Sequence, residues 1–202
     1  MRGLIRTISV AVFSALPAVW CAAAPAIGDA IPAGSVKMEN VDGRKLSIAD
    51  VTGAHGTLVI FSCNHCPWVR AWEDRIIAAA SDAATRGIGV ITINSNDPAA
   101  YPGDSFAEMQ ERAKAKAYGF PYVMDTTSAV GRAFGATHTP EVFLFDAHGK
   151  LAYHGAIDDN ARDPAKVTQR YLADAIEAVA AGKPPALQET KALGCSIKFR
   201  NN

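Results

Sequence analysis

Two cysteines separated by two residues, Cys63 and Cys66, are the clearest candidates for chemistry in this sequence. Thiols at this spacing can reach disulfide geometry without moving the backbone. The stretch from Pro67 onward has the apolar spacing of a helix, and proline is tolerated in the first turn of a helix. The pattern therefore predicts a redox pair at the N-terminus of a helix.

The position of the pair predicts a different role for each thiol. Helix N-terminal amides favour negative charge, and a cationic His65 would add to this, so the pKa of Cys63 should fall below the free value of about 8.5. Cys63 is then the nucleophile, and Cys66, further into the helix, resolves the mixed disulfide. We expect no cofactor. The expected partners are proteins that carry disulfides or thiols, together with a redox partner protein.

Two other uses of the pair are a static structural disulfide and half of a zinc site. The sequence has no second Cys-x-x-Cys and its histidine spacing differs from that of a zinc finger, so it favours redox chemistry. The chain has two further cysteines, Cys21 and Cys195. Cys21 lies in a predicted export segment. For Cys195 the sequence leaves two interpretations open, a third redox thiol or an ordinary free cysteine.

Residues 1–24 have the layout of a secretory signal peptide. Arg2 and Arg6 precede an apolar stretch at 8–20, and small residues follow at 22–24. The apolar stretch is short for a bilayer span and is interrupted by polar residues and a proline. We therefore expect cleavage, export to the bacterial periplasm and no stable membrane association of the mature protein.

The charge balance excludes one class of partner. Lys and Arg total 20, Asp and Glu also total 20, and no long block of like charge occurs. Such a surface offers neither a nucleic-acid groove nor a polybasic membrane patch. Nucleic acid is therefore not expected as a partner.

The elements that must hold the cysteine pair follow from hydrophobic periodicity and turn residues. Compact apolar runs predict buried strands, spacings of three and four predict helices, and Gly-containing turns predict hairpins. The predicted strands are 57–61, 88–93, 122–124, 141–145 and 151–154; the predicted helices start at 67, 105, 128 and 167; the predicted turns are 41–44 and 146–149. This order predicts one three-layer α/β domain with a mixed central sheet at 25–182, and a tail at 183–202.

Two segments, Thr57 to Pro67 and Thr139 to Asp146, resemble the thioredoxin superfamily. The N-terminal hairpin, the strand end at 93–97, the inserted segment up to Asp125 and the tail at 194–198 resemble its peroxiredoxin-like, redoxin-type (AhpC/TSA) branch. The resemblance implies a thioredoxin-like three-layer α/β/α fold with a mixed central sheet, an N-terminal β-hairpin and an inserted helical segment.

The resemblance also implies a set of site residues. Pro140 would be a cis-proline beside the cysteines, and the Thr139 backbone would be free to pair with an extended substrate. The implied site is Cys63, Cys66, His65, Pro140 and Thr139. The His before the second cysteine resembles the Cys-x-His-Cys centre of periplasmic thiol oxidases. This implies a reduction potential between about −270 mV and about −120 mV.

Two departures from the family patterns bear on activity. Thioredoxins have a buried acid six residues before the first cysteine, and here that position is Thr57. The proton acceptor would then be Glu141, a water or nothing. Peroxiredoxins carry Pro-x-x-x-Thr-x-x-Cys, and here Gly56 and Ile60 occupy the Pro and Thr positions. A thiol peroxidase of the peroxiredoxin-like group is therefore an alternative that the sequence disfavours.

A second alternative is a copper(I) chaperone. His138 lies where Sco-type chaperones place a histidine, and Cys63, Cys66 and His138 would form a soft ligand set suited to Cu(I). Those chaperones have Cys-x-x-x-Cys-Pro, one residue longer than the motif here. Copper is therefore the second choice, behind thiol-disulfide exchange.

Overall fold

The computed structural model describes residues 23–201. Residues 1–22 of the predicted signal peptide, including Cys21, lie outside the described residues. Among the helices that the model describes, none is long and apolar enough to cross a bilayer.

Strands and helices alternate through the middle of the described chain, and runs of strands stand before and after this part. In chain order they are β1 Met38–Asn40, β2 Lys45–Leu46, β3 Gly56–Phe61, α1 Pro67–Thr85, β4 Ile88–Asn94, α2 Phe106–Ala115, β5 Tyr122–Met124, α3 Ala129–Ala133, β6 His138–Thr139, β7 Glu141–Asp146, β8 Leu151–Gly155, α4 Tyr171–Ala180 and β9 Cys195–Ser196.

One mixed sheet runs through the domain. A group of four strands has the order β2-β1-β5-β4, and a group of three has the order β3-β7-β8. The groups meet where the amide of Ser62 donates to Ile93 O over 2.9 Å. The β4–β5 pair is parallel, whereas β3–β7 and β7–β8 are antiparallel. Both predicted hairpins, β1–β2 and β7–β8, are confirmed.

The central strands are buried on both faces, because their alternating side chains enter two separate cores. In β3, Leu58 and Ile60 pack with α1 and α4 on one side, whereas Val59 and Phe61 pack with α3 on the other. Each side chain of this kind contributes roughly 1.5–3 kcal/mol when it is fully buried. The three-layer arrangement predicted from the sequence is therefore confirmed, and it buries β3 on both faces up to its last residue.

The last helix begins later than the periodicity predicts. Val167 was expected on its apolar face, but α4 starts at Tyr171 and Val167 follows a short 3-10 turn at Pro164–Lys166. The Asp163 side chain accepts the Ala165 amide and so caps this turn. At this position a hydrogen bond between a side chain and the backbone takes the place of the backbone hydrogen bonds of an α-helix.

The segment predicted as a tail packs against the domain. The amide of Thr190 donates to His154 O over 3.0 Å, so the segment first follows the edge strand β8. Further along, β9 pairs antiparallel with β6, with Thr139 opposite Cys195. The tail thus passes next to the cysteine pair.

Candidate active site

The cysteine pair lies at the junction of β3 and α1. Cys63 comes two residues after the end of the strand, and Cys66 is the N-cap residue of the helix, which begins at Pro67. The predicted start of the helix is confirmed. Both cysteines are free thiols, with exposed fractions of 1% for Cys63 and 0% for Cys66.

Thr139 contacts both thiols from β6, the short strand between α3 and β7. Its Oγ1 lies 3.3 Å from Cys63 Sγ, and its carbonyl oxygen accepts the Cys66 thiol over 3.1 Å. The peptide bond between Thr139 and Pro140 is cis, as the resemblance implied. The tertiary structure therefore unites Cys63, Cys66, Thr139 and Pro140 in one place.

The acidity of the two thiols is the reverse of the sequence prediction. A hydrogen bond with Cys66, then burial and the Asp104 carboxylate, raise the pKa of Cys63. A hydrogen bond from Cys63, with others from Cys195 and from the Val69 amide, lowers the pKa of Cys66. The prediction differs because Cys66 rather than Cys63 is the N-cap residue of the helix, and because the Asp104 carboxylate lies near Cys63. Cys66 therefore ionises before Cys63, and on ionising it gives up the hydrogen bond that it donates to the Thr139 carbonyl oxygen.

His65 lies near Cys63 as expected, but beside a buried acid. Its Nδ1 is 2.6 Å from Asp104 Oδ2, without hydrogen-bond alignment, and its ring stacks on Tyr101. Potential ligand atoms of Cys63, His65 and Asp104 all lie within 4.8 Å of one another. The negative charge of Asp104 therefore opposes the effect that a cationic His65 would have on Cys63.

Asp104 is the acidic residue that the sequence reasoning missed. It is fully buried, and its carboxylate accepts the Asn64 amide and the Asn96 side chain, each over 2.7 Å. The predicted candidate, Glu141, instead bonds His154 and the amides of Thr137 and His138. No local pattern marks Asp104, because it lies in a turn 40 residues from Asn64 along the chain.

Asn64, inside the motif, holds the loop in place. Its side chain donates to Gly103 O over 3.0 Å and accepts the Tyr122 hydroxyl over 2.9 Å. Its backbone oxygen accepts Arg70 Nε from the first turns of α1. The residues between the two cysteines are therefore tied to three different elements, so the pair is held in position before any reaction.

The tail covers the edge where the resemblance places a substrate. Thr139 was expected to have a free backbone, but β9 already pairs with it. Cys195 Sγ lies 2.8 Å from Cys66 Sγ and is half-buried. Burial and Cys66 raise the pKa of Cys195 to about 11.

The ligand set of the copper alternative is not assembled. His138 Nδ1 lies 2.8 Å from Thr137 Oγ1. Within residues 23–201, the one group of three potential ligands is Cys63, His65 and Asp104, which leaves out both Cys66 and His138. A mixed set of one thiolate, one imidazole and one carboxylate lacks the soft character that would favour Cu(I).

Comparison with known proteins gives the chain a family. The model of the AhpC/TSA family matches residues 27–154. An uncharacterized conserved protein from Geobacillus kaustophilus is 33% identical, with a TM-score of 0.82 over 88% of this chain and 94% of that one. No curated protein sequence matches significantly.

More distant structures share the fold. The thiol:disulfide interchange protein from Chlorobium tepidum TLS is 24% identical, with a TM-score of 0.53 over 68% of this chain and 93% of that one. Peroxidoxin BcpB from Mycobacterium tuberculosis is 13% identical, with a TM-score of 0.58 over 77% of this chain and 96% of that one. Both similarities show a thioredoxin-like fold.

Proposed function

This chain belongs to the AhpC/TSA family of thioredoxin-like redox proteins, and we propose that it is an exported thiol-disulfide oxidoreductase whose redox pair is Cys63 and Cys66. In the reducing direction the Cys63 thiol and the Cys66 thiolate lose two electrons and one proton and become a disulfide. A substrate disulfide takes up the two electrons and two protons, one of them from water, and becomes two thiols. The opposite direction oxidises substrate dithiols, and the potential of the partner decides between the two.

The convergence of both thiols on Thr139 carries this proposal. Cys63 Sγ and Cys66 Sγ each contact that one residue, at 3.3 and 3.1 Å, so the pair is gathered against a single loop. The thiolate at Cys66 supplies the nucleophile that exchange requires. A static disulfide would need no ionised sulfur and no clamped loop between its cysteines.

Peroxide reduction is the alternative within the same family. The position where peroxiredoxins carry a threonine is Ile60, whose side chain is completely buried in the apolar core with α1 and α4. It offers no hydroxyl to Cys63, and the thiol is itself 1% exposed and faces a carboxylate. These features favour disulfide exchange over peroxide chemistry.

The test of the proposed function combines turnover with disulfide mapping. Trypsin places Cys63 and Cys66 together in peptide 46–70. In glutathione buffers of graded potential, we expect this peptide to gain an internal disulfide with a midpoint between about −270 and about −120 mV.

Turnover is measured as insulin reduction with dithiothreitol as the electron source. The double variant Cys63→Ser/Cys66→Ser should fall to the rate of dithiothreitol alone. A double variant as active as the parent would remove the proposal. Gly119→Ala is the matched control, since a methyl group there meets no atom within 4 Å.

A further inference from the structure

A third thiol is built into the site by the tail. Cys195 Sγ is 2.8 Å from Cys66 Sγ, although the two residues are 129 positions apart. Of the cysteines that the structure describes, Cys63 and Cys66 are buried and Cys195 alone is partly exposed. A protein partner that reaches this face therefore meets Cys195 before it meets either member of the pair.

The placement of Cys195 is fixed by contacts on both sides of it. A Cβ at Gly194 would lie 2.3 Å from the Thr139 oxygen, so only glycine lets the tail approach this closely. After Cys195, the amide of Ile197 donates to Thr137 O over 2.9 Å, and the amide of Lys198 donates to Asn96 Oδ1 over 2.8 Å. The tail is thus held along its length rather than touching the site by one side chain.

The tail also lies where the resemblance to thioredoxin-like proteins places an extended substrate. β9 pairs with β6, with Thr139 opposite Cys195, which is β-strand addition carried out by the chain's own terminus. A cysteine in that strand lies next to a buried thiol of the redox pair. The geometry is that of a substrate thiol engaged at the site.

We propose that Cys195 is a third redox thiol, which forms a disulfide with Cys66 and transfers electrons between the buried pair and the disulfides of protein substrates. This inference rests on the proposed function, because it uses Cys63 and Cys66 as the pair that stores the electrons. It adds Cys195 as the residue that reacts with the substrate disulfide.

In the reducing direction the first step takes place at Cys195. Its proton passes to the Cys66 thiolate 2.8 Å away while its sulfur attacks a substrate disulfide. The substrate S–S bond breaks, one substrate thiolate leaves and takes a proton from water, and a mixed disulfide forms on Cys195.

Two internal exchanges complete the transfer. Cys66 attacks Cys195 Sγ and its proton goes to the departing second substrate thiolate, which leaves a Cys66–Cys195 disulfide. Cys63 then attacks Cys66 Sγ, the bond between Cys66 and Cys195 breaks, and the proton of Cys63 passes to Cys195. The protein ends with a Cys63–Cys66 disulfide and a free Cys195 thiol, and the substrate has gained two electrons.

The first experiment maps the disulfide in the full chain. In Cys63→Ser, peptide 46–70 carries Cys66 alone, and trypsin releases Cys195 in peptide 192–198. After equilibration in an oxidising glutathione buffer and alkylation, we expect mass spectrometry to find these two peptides linked. Glutathione adducts on separate peptides would overturn the proposal. An equal yield of linked peptides in Cys66→Ser, where Cys63 is the remaining thiol of the pair, would also overturn it.

A second variant tests docking without removing a thiol. In the Cys63→Ser background, Gly194→Ala should lower the yield of the linked peptides at least fivefold, because its methyl group would overlap the backbone at Thr139. Gly119→Ala, in open space, should leave the yield unchanged. A yield in Gly194→Ala equal to that of its background would overturn the role assigned to the docked tail.

Turnover distinguishes this inference from the proposed function. Cys195→Ser should reduce insulin at least tenfold more slowly than the parent, while its peptide 46–70 still gains the internal disulfide. Parent-like turnover in Cys195→Ser, with the double variant Cys63→Ser/Cys66→Ser inactive, would refute the role of Cys195 and leave the pair in place. Activity in all of these variants would remove the proposed function itself.

Discussion

Replacing Asp104 with asparagine should make Cys63 more acidic, because the buried carboxylate opposes a negative charge on that thiol. The carboxylate and Cys63 Sγ lie within 4.8 Å. At an effective dielectric constant of about 20, two unit charges at this distance repel by about 3 kcal/mol, which corresponds to about 2 pKa units. A charged His65, 2.6 Å from Asp104, would offset part of this. We expect Asp104→Asn to lower the pKa of Cys63 by at least about 1 unit.

The assay isolates one thiol by placing the substitution in a Cys66→Ser background. Peptide 46–70 then carries Cys63 alone, and the pH midpoint of its alkylation by iodoacetamide reports the pKa of that thiol. Both proteins share the same access to the buried sulfur, so a difference in midpoint reports acidity. Asp74→Asn is the matched control, since the Asp74 side chain is 90% exposed.

Stability gives a second, independent reading of the same substitution. An asparagine at 104 keeps an oxygen for the Asn64 amide but turns an NH₂ group towards that of Asn96. This unsatisfied pair should cost roughly 1–3 kcal/mol in the free energy of unfolding. The electrostatic argument would be refuted if the pH midpoint of alkylation stayed within about 0.3 units of that of Cys66→Ser while circular dichroism showed an intact fold.

Oxidation of the reduced protein by hydrogen peroxide, followed by stopped flow, should be as slow as that of an ordinary thiolate, and a rate constant orders of magnitude higher would favour the peroxidase alternative. The pKa of Glu141 is lowered from 4.5 on folding, because contacts with His154, Thr137 and His138 outweigh the burial that would raise it. The stabilisation by the Glu141 carboxylate is therefore present above pH 4.5 and is lost as pH falls through the folded-state pKa. In denaturant unfolding, the free energy of unfolding of Glu141→Gln should thus fall less on acidification than that of the parent. Equal losses of free energy in the two proteins would contradict this. Protein recovered from a bacterial periplasm should begin between residues 22 and 26 by N-terminal sequencing, and an intact N-terminus at Met1 would contradict export with cleavage.

Most of the fold could be predicted from local sequence patterns. The continuous apolar run of β3 and the spacing of Trp72 and Ile76 in α1 identify elements whose burial is decided by their own periodicity. Val167 shows where this reasoning fails, since capping bonds around Asp163 keep the chain out of the helix. Helix boundaries depend on such single side-chain contacts, which periodicity does not report.

The sequence alone indicated the cysteine pair, its place before α1 and the proline beside it, because these features depend on residues that are close neighbours or belong to a motif. Only the tertiary structure decided which thiol is acidic and what surrounds it. Asp104 and Cys195 come from 40 and 129 residues away, through a turn and a tail without a local signature. Acidity depends on charges and hydrogen-bond donors within a few ångströms, whatever their separation along the chain. Besides the hydrogen bond between the two thiols, Asp104 near Cys63 and Cys195 beside Cys66 therefore raise the pKa of Cys63 and lower that of Cys66.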